Sequence, residues 1–293
     1  MYGELVRIEA EDGLELVGFY AAPSGRPAAR AVLHTHGLAG NFYENRFVDA
    51  IGRAVVEKGL AFLTYNNRGH EYRSDNLRGY GAEATSHLGG ASWEIFGECV
   101  HDIKGAADFL ALRGHRGVYF EGHSLGTNKI VHYLTSRGDP RAVGAVLISP
   151  PDIFGLRDAS AAEHLDEIVE RACALVREGR PDTLIEDSGY VVPLSATTIV
   201  STYGDRQTTD IFPFRLGAGG DYTRLESLAV PVLATFGTVE EAVTVPVESA
   251  AALLRAHASS APAIRVDAIE GANHVYWGHE DELAELVSGF VQP

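Results

Sequence analysis

Cysteine, lysine and methionine are scarce in this chain. It has two cysteines (Cys99 and Cys173), three lysines (Lys58, Lys104 and Lys129) and one methionine, with 24 basic residues against 40 acidic ones. Two cysteines cannot build a disulfide framework, and neither stands in a C-x-x-C pair that would suggest a metal or redox motif. A reducing compartment is the expectation. The formal charge of −16 argues against a nucleic-acid partner, because affinity for a phosphate backbone comes largely from basic surface. No apolar run approaches the roughly 20 residues that span a bilayer. The first five residues lack the basic region and apolar core of a secretory signal. A cytoplasmic protein without membrane or nucleic-acid partners is expected, and its oligomeric state has no readable signal.

What is present is a globular composition: 293 residues, 45% apolar and 22% charged, enough for a large core. Short apolar runs without polar alternation recur at residues 31–33, 61–65, 118–120, 145–148 and 230–234. That is the pattern of strands covered on both faces. Residues 5–10 and 14–20 read as an outer hairpin. Helical stretches over 47–58, 96–112 and 125–136 end at Gly59, Gly114 and Gly138, glycine being the residue that best takes the left-handed cap. Near the end, Leu283, Leu286, Val287 and Phe290 form an apolar stripe that should lie on a sheet. Strand and helix in alternation predict an α/β fold, a mostly parallel central sheet with helices on both faces.

One interval breaks the rhythm. Roughly 80 residues separate the strand near 149 from the strand near 230, whereas a crossover needs about a dozen or a little more. Residues 1–151 and 227–293 are therefore expected to form the core, with 152–226 inserted as a helical cap over the sheet's C-terminal edge, where such sheets place ligands. Helices are expected over 160–178 and 195–203. Residues 151–229 carry 14 acidic and 7 basic side chains. This surplus would disfavour anionic substrates if it rims a pocket, although a solvated face is the simpler account.

The chemistry centres on Ser124. Residues 118–126, Val-Tyr-Phe-Glu-Gly-His-Ser-Leu-Gly, run from a buried strand through G-x-S-x-G into a helix, the context a nucleophile elbow requires. Donors for a developing oxyanion are expected from the backbone N–H of Leu125, at a helix N-terminus, and of Leu38, after His36-Gly37. His34 and His36 form an H-x-H pair without a third ligand in metal-site spacing. No dinucleotide fingerprint appears, and neither metal nor organic cofactor is expected. His274, on the loop beyond the last strand, is the expected base, ahead of His279. The expected acid is Glu240, three residues after Gly237, with Glu241 as competitor and Asp205 or Asp210 less favoured. A glutamate suffices, since the task is a carboxylate accepting the imidazole N–H. Tyr190, Tyr203, Phe212, Phe214 and Tyr222 either line a substrate pocket or form the cap's own core.

These residues resemble the α/β-hydrolase superfamily over nearly the whole chain. More narrowly, residues 36–43 (HGLAGNFY), 66–70 (NNRGH), 93–103 (WEIFGECVHDI), 122–129 (GHSLGTNK), 149–155 (SPPDIFG) and 209–212 (TDIF) are similar to a family that includes fungal siderophore esterases. The resemblance implies hydrolysis of an ester, siderophore-like esters included, while the residues themselves supply a Ser-Glu-His triad for a small or medium-sized ester, aromatic ones included. Glutamate in place of the usual aspartate is the departure. An amidase, thioesterase, lactonase or C–C hydrolase would use the same machinery, and an acyltransferase or lyase the same fold.

Overall fold

The structure, a computed structural model, describes residues 2–25, 27–79, 81–160, 164–186 and 192–293, with the backbone alone for 158–160. At one edge, Val6 and Ile8 point inward while Leu5 and Arg7 face solvent. This period of two makes β1 (Glu4–Glu9), which pairs antiparallel with β2 (Glu15–Ala21). The remaining sheet strands are β3 (Arg30–Thr35), β4 (Ala61–Tyr65), β5 (Gly117–His123), β6 (Ala142–Ile148), β7 (Val232–Val239) and β8 (Ile264–Asn273). Their order is β1-β2-β4-β3-β5-β6-β7-β8, and every pairing from β4 to β8 is parallel.

The longer helices are α1 (Arg46–Glu57), α2 (Cys99–Leu112), α3 (Leu125–Ser136), α4 (Ile153–Ser160), α5 (Leu165–Arg177), α6 (Val247–His257) and α7 (Glu280–Phe290). Alternate strand residues serve opposite layers. Leu33, Leu63, Phe120, Leu147 and Ala234 pack with α2, α3 and α6. Val32, Phe62, Tyr119, Val146 and Leu233 pack with α1 and α7. All seven residues of β5 are buried, so its apolar run lacks polar alternation because both faces are covered. Each fully buried Val, Leu, Ile or Phe contributes about 1.5–3 kcal/mol, which makes the middle strands the most strongly fixed part of the molecule. A hairpin of Ser74–Arg78 and Thr85–Gly89 follows β4. The sequence gives no warning of it, since neither strand is rich in the β-branched or aromatic residues that signal one.

The interval between β6 and β7 divides in two. Its first half forms an apolar cluster of Phe154, Ile168, Ala172, Leu194, Ile199 and Tyr203 that includes Phe96 and Leu125 from outside the interval, so it sits against the C-terminal edge of the sheet. The expected helix over 160–178 is α5, and the one over 195–203 is a short helix, Ala196–Ile199, running into a π-helical turn, Val200–Gly204. In the second half, Ile211, Phe212, Phe214, Tyr222 and Leu225 join the main core instead. The two ends are tied at the base. Asp152 accepts from the Arg215 backbone N–H at 2.7 Å and from its guanidinium at 2.6 Å, and the same guanidinium reaches Asp210.

Candidate active site

Ser124, Glu240 and His274 each stand one residue past the C-terminal end of a parallel strand: β5, β7 and β8 respectively. The sheet alone therefore brings three distant parts of the chain to one rim. Ser124 is the only residue from Gly117 to Tyr133 that is not buried. Its backbone has φ 53° and ψ −129°, a conformation that costs a side-chain-bearing residue about 1–3 kcal/mol. The turn is tight because β5 passes directly into α3: a Cβ at Gly126 would lie 2.1 Å from the Thr35 carbonyl oxygen, and one at Gly122 would lie 2.4 Å from that of Gly126.

Three groups hold His274. Its Nδ1 lies 2.6 Å from Glu240 Oε1, its backbone N–H donates to Glu241 Oε2 at 2.9 Å, and its carbonyl lies 2.9 Å from His123 Nε2. The last contact sets the His274 loop beside the residue preceding Ser124, with the two imidazole rings 4.9 Å apart. Burial pushes the His123 imidazole well below its usual range, with the neighbouring His274 adding to the shift, so His123 is a neutral Nε2–H donor to that carbonyl. The Glu240 side chain has no solvent exposure. Burial raises its carboxyl, but the hydrogen bond and charge of His274, with the Ser149 hydroxyl and the Ala242 N–H, outweigh this and hold it below the usual carboxylate range.

The loop after β3 meets the elbow closely. A Cβ at Gly37 would lie 2.8 Å from Ser124 Cβ and 3.3 Å from the Leu125 nitrogen. His36 Nδ1 lies 2.9 Å from the Gly37 carbonyl, while its Nε2 accepts the Asn67 N–H at 3.0 Å. That pairing fixes the tautomer, and because the peptide is trans the Leu38 N–H points opposite to the held carbonyl. Behind it, Asn67 Oδ1 accepts from the buried Lys129 at 3.2 Å.

A cavity opens beside Ser124, bordered by Leu38, Phe96, Leu125, Ile153, Leu156 and Leu194, and by Glu94, Thr198, Thr202 and Tyr203. Of the aromatic candidates, Tyr203 borders this cavity. Phe212, Phe214 and Tyr222 do not: Phe214 packs on Phe236, and Tyr222 stacks on His257 at 4.0 Å. Tyr190 lies outside the described residues. His279 contacts Glu282 at the start of α7, Asp205 caps a short helix and Asp210 binds Arg215, so none of these is part of the site. Both histidines of the H-x-H pair are engaged, His34 Nδ1 lying 2.7 Å from Glu121. Among the described residues, no group of three or more His, Cys, Asp or Glu is placed to hold a metal ion, and no helix is long and apolar enough to cross a membrane.

Sequence reasoning missed Glu94, Lys129, Ser149 and Tyr276. Ser149 Oγ and Thr235 Oγ1 lie 3.0 and 3.1 Å from the Tyr276 hydroxyl, beneath Glu240. Only the Gly-His-Ser-Leu-Gly-Thr-Asn-Lys run hinted at Lys129, and nothing in it specified a partner.

The strand order and the rim of the sheet define the α/β-hydrolase fold, and the chain has that fold. Among solved structures it resembles Est1E from Butyrivibrio proteoclasticus, determined with ferulic acid bound, at a TM-score of 0.68 and 18% identity over 97% of this chain and 96% of that one. A carboxyl esterase from Bacillus coagulans gives a TM-score of 0.70 at 12% identity over 99% and 98%. A Synechocystis sp. protein bearing the name non-heme chloroperoxidase is 22% identical over 285 residues, 92% of each chain. No protein-family profile matches the chain.

Proposed function

We propose that the protein is a serine hydrolase that cleaves carboxylic esters through an acyl-enzyme on Ser124. One contact supports this most: His274 Nδ1 against the buried Glu240 carboxylate at 2.6 Å, on the rim that also carries the elbow serine. With Nδ1–H donating to Glu240, the Nε2 of His274 is the lone-pair nitrogen, free to take the Ser124 proton as the hydroxyl attacks the ester carbonyl. The Leu38 and Leu125 N–H groups receive the developing oxyanion. His274 then gives its proton to the leaving alcohol, and water repeats the sequence to release the acid. Glu240, ionised through the neutral range, stabilises the imidazolium formed in both halves.

Residues 152–226 act as the cap, and through the first half of that segment they supply the wall opposite Ser124. The mostly apolar cavity suits a small or medium-sized acyl group. Ester chemistry is also supported by the esterase neighbours, one solved with ferulic acid. Siderophore-like esters join the candidate substrates through the sequence resemblance.

The test is a panel of esters of graded acyl length and aromaticity, assayed with the purified protein and its Ser124→Ala variant. Turnover that disappears in the variant is expected, together with a single phosphonate adduct on Ser124. Full activity in Ser124→Ala would remove the proposal.

A further inference from the structure

Among the described residues bordering the catalytic cavity, Glu94 alone carries charge. It is 5% exposed. Lys129, which has no exposure at all, places its Nζ 2.5 Å from Glu94 Oε1. This ion pair is the only polar contact Glu94 makes among the described residues. Its second oxygen, Oε2, has none. Space for that oxygen exists because residue 69 is glycine: a Cβ there would lie 2.3 Å from Oε2. Glu94 also borders a second cleft, with Arg78, Trp93 and Asp182.

Stability does not account for such a pair. Desolvating two charges costs as much as their attraction returns, and apolar replacements of similar volume are often neutral or stabilising. The arrangement does account for recognition. Lys129 already balances the carboxylate charge, so an ammonium group at Oε2 would bring an uncompensated cation into a mostly apolar cavity, and a second carboxylate would be repelled. A neutral O–H donor fits both the charge and the vacant acceptor. We infer that Glu94 Oε2 accepts a hydrogen bond from a hydroxyl group at the far end of the acyl portion, making the protein selective for hydroxyacyl esters. The inference rests on the proposed ester hydrolysis.

Binding tests it without requiring turnover. In the Ser124→Ala protein, calorimetry compares two matched pairs: the methyl esters of hexanoic acid and its terminal hydroxy derivative, and of phenylpropanoic acid and its para-hydroxy derivative. The hydroxy member of at least one pair is expected to bind about tenfold or more tightly, as a hydrogen bond to a charged acceptor provides. Adding Glu94→Leu with Lys129→Met, which removes both charges together, should bring that preference within about twofold of unity. Should that combination fail to fold, Glu94→Gln alone must lower the preference by at least about threefold. Equal binding within both pairs, or a preference that survives the substitutions, overturns the role of Glu94 and leaves ester hydrolysis standing. Failure of all four esters to bind overturns the ester reading itself.

Discussion

Glu240 Oε1 lies 2.6 Å from His274 Nδ1, while the adjacent carboxylate, Glu241, takes the backbone N–H of the same histidine at 2.9 Å. Two consecutive glutamates thus act on one residue in different ways. Only the first touches the imidazole. Glu240→Gln should lower kcat by about a hundredfold to ten-thousandfold, because an amide in that position no longer stabilises the imidazolium or enforces the tautomer. Glu241→Gln, which keeps an acceptor oxygen for the backbone, should cost less than about tenfold. Steady-state kinetics of both variants decides it, and the reverse ordering would reassign the acid.

Ser124 sits at positive φ, which glycine tolerates and alanine does not. Both Ser124→Ala and Ser124→Gly should abolish turnover. The glycine variant should nevertheless be the more stable of the two by about 1 kcal/mol, through release of backbone strain. Denaturant melts of the two proteins check this, and equal stabilities would mean that the elbow is unstrained.

Gly37→Ala would push a methyl against Ser124 and the His123 carbonyl, at 2.8 and 3.0 Å. The loop must then move away from the elbow, carrying the Leu38 N–H with it. A fall in kcat of about a hundredfold or more is expected, as for loss of one oxyanion donor, with KM little changed. Unchanged kcat would exclude Leu38 as a donor.

Burial, assisted by the charge of Arg224, pushes the His132 imidazole down to about 4 from 6.5. His36 and His123 shift in the same direction, also chiefly through burial. Between the unfolded and folded values the unfolded chain binds protons that the folded chain does not, so stability declines as pH falls through 6.5 toward 4. The His132 share is about 2 kcal/mol by about pH 5. His132→Phe, which keeps a ring against Phe96, should flatten that decline. Glu240 is shifted downward as well, here because its charged form is favoured, with the same outcome in acid. Its contribution is present above its unfolded value of 4.5 and is lost as pH falls through the lower folded one. Chemical denaturation across pH measures both: no decline from neutral pH to about pH 5 would contradict the histidine shifts, and no decline below 4.5 would contradict that of Glu240.

The strand–elbow–helix at Ser124 was legible because its information is local: a buried strand, two glycines and a helical pattern stand within about twenty consecutive residues. His274 and Glu240 were legible as positions just past strands, since parallel strands deliver their C-terminal ends to a single rim. The sequence also determined the layering, through apolar runs without alternation. Tertiary structure alone decided which glutamate meets the imidazole and that His123 grips the His274 carbonyl. It also decided that Glu94 and Lys129 pair at the cavity wall, and that Phe212, Phe214 and Tyr222 belong to the core while Tyr203 faces the cavity. Each of these depends on angstrom-scale separations between segments tens to more than a hundred residues apart. Such separations are set by how whole layers pack, and no local pattern of residue types encodes them.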